Sequence, residues 1–258
     1  YAPEHTAVVL NWLEKNKRRV INNSRALSLE ISKSLQYKEL EDFGIKTPKT
    51  IYCSNKESIL KSANVFTKPF ITKHNRGGKG LGVKLFNSKK ELDSYVSSKD
   101  FEPSIDGITL LQDYIDANPK VIKRVEFVNS KFLYTVEVDA SEGFELCPAC
   151  PDDQIDIPQQ QLIGEFCPTT GNKFKIIKNY KENELTKKYE KFIAANGIEI
   201  AGIEYIIDKK GKIYTYDVNT NTNYNSQAEK SSEIKGMKSI AAFLKEELLL
   251  LSNIKIVA

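Results

Sequence analysis

Two stretches of the 258-residue sequence carry residue types that could do chemistry together. The first is Gly202-Ile203-Glu204-Tyr205, followed after a glycine-containing turn by Tyr216-Asp217-Val218-Asn219. Each acid has apolar neighbours, as in a β-hairpin with one covered face. An even-numbered loop centred on Lys210-Gly211 would pair 208 with 213 and, counting outward, set Glu204 directly opposite Asp217. Period-two alternation puts Asn219 on that same face. Opposed carboxylates repel and weaken a bare hairpin. A hard cation removes the conflict, and magnesium takes carboxylate oxygens together with phosphate oxygens. The competing reading is a solvated polar face.

The second stretch is Asn75-Arg76-Gly77-Gly78-Lys79-Gly80-Leu81-Gly82, lying between two apolar strands. Glycines allow close backbone approach, so such a loop can present N–H donors to phosphates. It is not a Walker loop, because the glycine-lysine pair is followed by Gly80 rather than Ser or Thr. It also lacks the third glycine of the dinucleotide fingerprint, which would fall on Val83. A glycine-rich hairpin with no ligand remains the plainer reading of the loop by itself.

Periodicity and turn residues supply the elements that would hold these groups. Helices are expected over His5–Lys15, from the Asn22-Asn23-Ser24 cap to about Phe43, and over Lys56–Ser62, Ser88–Ser97, Asn183–Asn196 and Ile234–Leu251. Gly44 and Gly197 serve as C-caps. Strands are expected at Arg19–Ile21, Lys49–Cys53, Phe70–His74, Leu81–Phe86 and Thr109–Tyr114. Two hairpins follow, Val121–Val128 with Lys131–Asp139, and Ile200–Ile207 with Lys212–Val218. Hairpins separated by helices make the fold class α+β rather than a doubly wound parallel sheet.

Composition narrows the classes further. The chain has 40% hydrophobic and 28% charged residues and a net charge of +4, with basic and acidic residues interspersed, which argues against a dedicated nucleic-acid binder. No apolar stretch is long enough to span a bilayer. Four cysteines do not make a disulfide framework, and no signal-like leader opens the chain, so cytoplasm is the expected location. Cys147, Cys150 and Cys167 fall in a proline- and glutamine-rich excursion, Cys147–Gly171. They are loop cysteines without a role, or an incomplete zinc site with Cys53 or a carboxylate, or a reversible disulfide.

In chain order, Ser32-Lys33 ahead of Gly44-Ile45-Lys46-Thr47-Pro48, Phe70-Ile71-Thr72-Lys73 running into the glycine loop, Leu110-Leu111-Gln112-Asp113-Tyr114-Ile115, Ala201-Gly202-Ile203-Glu204 and Asp217-Val218-Asn219-Thr220-Asn221 together resemble the ATP-grasp superfamily. Within it, the sequence is most similar to the RimK-type glutamate ligases. The resemblance runs from about Arg19 onward. It implies an ATP-grasp fold of two α+β lobes clamping ATP. Residues 1–21 would be the end of an otherwise missing N-terminal α/β domain, and 22–258 the ATP-grasp domain. Its smaller nucleotide lobe would cover about 48–112, and its larger metal-binding lobe about 113–258 plus the helix 24–43.

The resemblance also implies roles. Lys33 and Lys73 would contact ATP phosphates, Lys73 with a catalytic part, under a loop of Gly77, Gly78, Lys79 and Gly80. Gln112, Asp113, Tyr114 and Ile115 would form the adenine hinge, with Asp116 reaching the ribose. Arg124 would steady an acyl-phosphate, although the family often has an acid two positions earlier, where this chain has Ile122. Glu204, Asp217 and Asn219 would hold one or two magnesium ions, with manganese as a substitute.

The implied activity is an ATP- and magnesium-dependent carboxylate–amine ligase acting through an acyl-phosphate on small-molecule or peptide acids and amines. Glutamate is the first candidate for the amine, its free carboxylate received by Lys84 or Arg124. Two alternatives stay open: an ATP-binding regulatory module that has lost ligation, and a basic scaffold for RNA.

Overall fold

Asn23 and Ser32 each accept a backbone N–H at the start of a helix, and so split into two the region expected to form one long helix. The computed structural model describes residues 3–78, 80, 82–141, 173–230 and 232–257. Helix α1 (Pro3–Lys15) is followed by α2 (Ser24–Glu30) and α3 (Lys33–Asp42). Gly44, at φ +65°, ends α3, and the Ile45 N–H turns back to the Leu40 carbonyl at 2.9 Å. The expected strand at Arg19–Ile21 does not form. Its neighbourhood is held by side chains instead: Arg19 pairs with Glu199 and Glu247, and Asn22 donates to the Ile200 and Thr220 carbonyls at 2.7 and 2.8 Å.

The next elements are β1 (Thr50–Cys53), α4 (Lys56–Ser62), β2 (Phe70–His74), β3 (Lys84–Phe86), α5 (Lys89–Ser97) and β4 (Thr109–Asp113). They form an antiparallel sheet of order β1-β4-β2-β3. Strand β3 begins at Lys84 rather than Leu81, because Gly80 and Gly82 adopt φ of +78° and +76°, which a strand does not accommodate.

The second sheet comprises β5 (Val121–Val128), β6 (Lys131–Asp139), β7 (Phe174–Ile176), β8 (Ile200–Ile207) and β9 (Ile213–Asn219), with α6 (Glu184–Ala195) between β7 and β8. Its order is β7-β6-β5-β8-β9, again antiparallel. Asn129 and Ser130, both at φ +54°, make the tight β5–β6 turn. Two further helices, α7 (Ser226–Lys230) and α8 (Gly236–Val257), complete the described chain. Strand β7 and helix α7 were not anticipated; at three and five residues they are too short to show a period. Among the described residues no helix is long and apolar enough to cross a membrane.

Alternation on the strands builds the packing. Val125, Phe127, Ala201, Ile203 and Tyr205 point to one face and form a core with Tyr37 and Leu40 of α3 and with Tyr189, Phe192 and Ile193 of α6. Leu110 of β4 joins this core, whereas Leu111 packs with Phe70, Phe86 and Leu92 in the core of the first sheet. Strand β4 is thus buried on both faces and ties the two sheets together. The opposite faces of β5, β8 and β9 are left to line a cavity.

The β8–β9 turn differs from expectation. Ile207 pairs with Ile213, and the Asp208 N–H donates to the Lys212 carbonyl, so 208 faces 212 rather than 213. The loop is odd-numbered, closed by Gly211 at φ +78°. A β-bulge opposite Glu204 and Tyr205 then takes up Tyr216 as an extra residue and sets Glu204 opposite Asp217.

Candidate active site

Between the two sheets lies a cavity of about 540 Å³. Its walls have two characters. At one end Ile71 of β2 and Leu85 of β3, a cross-strand pair, contribute with Ile122 and Ile206, a pair on β5 and β8. Two residues further along the same strands, about 7 Å away, the wall turns ionic with Lys73, Arg124 and Glu204. An apolar slot therefore opens into a charged chamber.

Lys33 enters this chamber as the first residue of α3, placed there by the break at Ile31-Ser32. Asn75 fixes that helix end: its carbonyl accepts the Lys33 N–H at 3.1 Å and its Oδ1 the Ser34 N–H at 2.8 Å, while its Nδ2 donates to Asp106 at 2.6 Å. The buried Lys33 ammonium forms an ion pair with the half-buried Asp217. Burial alone would raise the Asp217 pKa, but Lys33 and Lys73 outweigh it and hold the carboxyl below its ordinary value. Among the described residues Lys73 has no such close acid. Its Nζ is 3.3 Å from both the Tyr37 hydroxyl and the Tyr216 carbonyl, and burial lowers its pKa.

Arg124 is buried between two acids. Its Nε donates to Glu126 at 2.6 Å and its Nη1 to Glu204 at 2.9 Å. Burial works against the guanidinium charge, yet Glu126 and Glu204 hold its pKa above the ordinary value. The Tyr216 hydroxyl donates to the other Glu204 oxygen at 3.0 Å. Asn219, opposite Gly202, donates its Nδ2 to the Gly202 carbonyl at 3.4 Å, which leaves Oδ1 as its available ligand atom.

Two carboxylates and an amide oxygen at the wall of a roomy cavity fit a hard cation that takes further oxygens from a phosphate. Among the described residues no group of three His, Cys, Asp or Glu could hold a metal by itself.

Gly77, Gly78 and Gly80 line the cavity, as do Gln112, Asp113, Tyr114 and Ile115. The Gln112 side chain reaches Thr50 of β1 at 2.8 Å, and the N–H groups of Asp113 and Tyr114 donate to the carbonyls of Lys49 and Pro69. Asp116 is not in the cavity wall; its carboxylate pairs with Lys209 at 2.5 Å. Lys84 is excluded as well, because its neighbours Val83 and Leu85 line the cavity while its ammonium sits 4.4 Å over the Tyr95 ring. Lys79, Cys147, Cys150 and Cys167 lie outside the described residues. Cys53 is a buried free thiol within the core of the first sheet.

Several site-building residues escaped the sequence reading. Gln36 and Tyr37 of α3 bond to β9, Glu126 and Thr222 surround Arg124, and Asn75 anchors α3. For Glu126 a signal existed: it lies two residues beyond Arg124, so period two puts both on one face.

Comparison with solved structures decides the architecture. The ATP-grasp ligase PsnB in complex with a minimal precursor, Mg and ADP superimposes with TM-score 0.60 at 15% identity, over 93% of this chain and 66% of that one. The chain has the ATP-grasp fold. A RimK-domain ATP-grasp protein from Sphaerobacter thermophilus matches with TM-score 0.61 at 16% identity, over 93% of this chain and 76% of that one. N5-carboxyaminoimidazole synthetase from Staphylococcus aureus, complexed with ADP, matches with TM-score 0.61 at 16% identity, over 87% of this chain and 53% of that one. The chain thus spans about half to three quarters of the length of these solved proteins. No protein-family model and no curated protein matches it.

Proposed function

We propose that this chain is an ATP- and magnesium-dependent carboxylate–amine ligase working through an acyl-phosphate. One observation carries the reading: two buried lysines, a buried arginine and two opposed carboxylates meet in a single cavity whose other end is apolar. In this reading adenine lies between the Ile71–Leu85 and Ile122–Ile206 pairs. Gln112–Ile115 form the hinge, and the Ile115 N–H is the donor for the base edge, since those of Asp113 and Tyr114 are committed to carbonyls.

Lys33 and Lys73 take the phosphates as point charges. Gly77, Gly78 and Gly80, with Lys79, cover them with N–H donors. Glu204, Asp217 and Asn219 hold one or two magnesium ions, or manganese. When bound, the metal supplies positive charge that offsets the phosphate oxygens.

In the reaction, an oxygen of the acid substrate attacks the γ-phosphorus, the bond to the β-phosphate oxygen breaks, and ADP leaves. The amine nitrogen then attacks the acyl carbon, phosphate departs, and the nitrogen loses a proton to solvent. Arg124 receives the oxyanion of the acyl group through charge-assisted hydrogen bonds. No protein nucleophile is required.

RimK-like use of glutamate as the amine and a peptide as the acid are the finer parts of the proposal. The peptide is supported by neighbours in complex with precursor peptides. A ligase must protect its acyl-phosphate from water, so ADP release should be slow with ATP alone and rise when acid and amine are both supplied. Hydroxylamine in place of the amine should yield a hydroxamate of the acid. Tight magnesium-ATP binding with no acid, amino acid or peptide stimulating ADP release would favour the regulatory module instead.

A further inference from the structure

Arg124 is 5% exposed, and its guanidinium is held on three of its nitrogens. Nε donates to Glu126 Oε1 at 2.6 Å, Nη1 to Glu204 Oε1 at 2.9 Å and Nη2 to Thr222 Oγ1 at 2.5 Å. Thr222 in turn donates its hydroxyl to Glu126 Oε2 at 2.8 Å, closing a ring of arginine, threonine and glutamate. The plane of the guanidinium lies close against β8 at Gly202, the residue paired with Glu126. A Cβ built on Gly202 would come within 2.6 Å of Nη2, 2.7 Å of Nε and 2.9 Å of Cζ, so any side chain there would push the guanidinium off its three bonds. Glu126 is itself 2% exposed, and a carboxylate buried that far is stable only with such partners.

We infer that Glu126, Thr222 and Gly202 form a cradle that fixes the Arg124 guanidinium in one orientation, so that Glu126 and Thr222 are positioning residues for the oxyanion Arg124 receives. The second half of this inference rests on the ligase reading; the cradle itself does not. A guanidinium has five N–H donors, and three are engaged here, which leaves two for a ligand. A lysine at 124 would keep the charge but could not satisfy Glu126, Glu204 and Thr222 while keeping donors for a ligand. The cradle also links Arg124 to the candidate metal ligand Glu204. Displacement of the guanidinium would therefore disturb the acyl-phosphate contact and one carboxylate together.

The test compares Thr222→Val, which keeps the volume, Thr222→Ser, which keeps the hydroxyl, and Glu126→Gln. The Nε–H resonance of Arg124, assigned with Arg124→Lys, should exchange slowly in the unaltered protein. It should shift and exchange faster in Thr222→Val and Glu126→Gln, and be retained in Thr222→Ser. With substrates, kcat should fall about tenfold to a hundredfold in Thr222→Val, with KM for ATP changed by less than about twofold and most activity restored in Thr222→Ser. If Glu126→Gln does not fold, the two Thr222 variants decide the matter. An unchanged Arg124 resonance in Thr222→Val overturns the cradle. A raised KM for ATP with kcat intact overturns the positioning role. If the unaltered protein turns over no substrate, the ligase reading falls, and the resonance still decides whether the cradle exists.

Discussion

Glu204 and Asp217 stand directly opposite each other only because Tyr216 is taken up as an extra residue beside them. The three-residue turn at 209–211 would by itself pair Glu204 with Tyr216 and turn Asp217 to the other face. The bulge restores the carboxylate pair. It also lets both consecutive side chains line the cavity, while the Tyr216 carbonyl receives the Tyr37 hydroxyl at 2.9 Å and the Lys73 ammonium at 3.3 Å.

Asp217→Asn removes the charge that faces Glu204 and leaves Lys33 without its acid. In the proposed site this should lower magnesium-dependent ATP affinity at least tenfold, the scale of one lost charge-assisted contact. Calorimetry with and without magnesium checks it. Equal affinities for the variant and the unaltered protein in magnesium would remove Asp217 from the metal set.

Lys73 offers a pH test. Burial depresses its folded-state pKa below the ordinary 10.5, against the pull of Asp217 and Glu204. Between the folded and unfolded values the unfolded chain binds more protons, so the residue's contribution to stability rises with pH through that window. Below the folded pKa the cost of the buried charge is fully present. Phosphates favour the charged form, so ATP binding should take up a proton between the folded-state pKa and the ordinary 10.5, and weaken as pH rises through the folded-state pKa. Titrations in buffers of different ionisation enthalpy would measure the uptake, and Lys73→Met should abolish it. Uptake that persists in Lys73→Met would assign the proton elsewhere.

The sequence reading worked where local chemistry is strong. Phe70–His74, Val121–Val128 and Ile200–Ile207 have the expected bounds because apolar alternation and flanking turn residues agree. The β8–β9 pairing shows a different case. Glu204 faces Asp217 as expected, but through an odd loop and a bulge rather than an even loop. Two local irregularities cancel, and neither leaves a mark beyond Gly211. The break between α2 and α3 was missed because Ser32 caps weakly, at 3.4 Å from the Leu35 N–H, and the clamp from Asn75 is 43 residues away in sequence. Contacts set by tertiary approach, such as Gln36 on Val218 or Thr222 on Arg124, have no local signature at all.

Gly82 tests the glycine loop. It sits at φ +76°, and a Cβ there would come within 2.8 Å of the His74 ring, which is itself anchored to the Glu102 carbonyl at 2.9 Å. Gly82→Ala therefore combines a left-handed backbone penalty of roughly 1–2 kcal/mol with a clash. The expected outcome is a displaced loop and weaker ATP binding, with thermal stability of the rest nearly unchanged. Hydrogen exchange across 75–83 should speed up in the nucleotide-bound variant. A loop protected as in the unaltered protein would mean that His74 simply moves aside.

Gln36 tests how α3 holds the metal-binding strand. It is fully buried; its Nε2 donates to the carbonyls of Leu29 and Val218 at 2.7 and 2.9 Å, and its Oε1 accepts the Val218 N–H at 3.0 Å. Val218 lies between Asp217 and Asn219, so this one side chain fastens the helix carrying Lys33 to the strand carrying two candidate ligands. Gln36→Leu fills the space but leaves the Val218 N–H and carbonyl unpaired, each costing about 1–3 kcal/mol before relaxation, while the Leu29 carbonyl keeps the Ser32 N–H at 3.3 Å. A fall in unfolding midpoint of roughly 5 °C or more is expected for a chain of this size. Magnesium-ATP affinity should drop with it, because Lys33 and Asp217 lose their common anchor. Gln36→Glu keeps the acceptor for the Val218 N–H but loses both donors, so it should also destabilise the fold. A destabilised Gln36→Leu protein with unaltered magnesium-ATP affinity would show that Lys33 and Asp217 hold their places without Gln36.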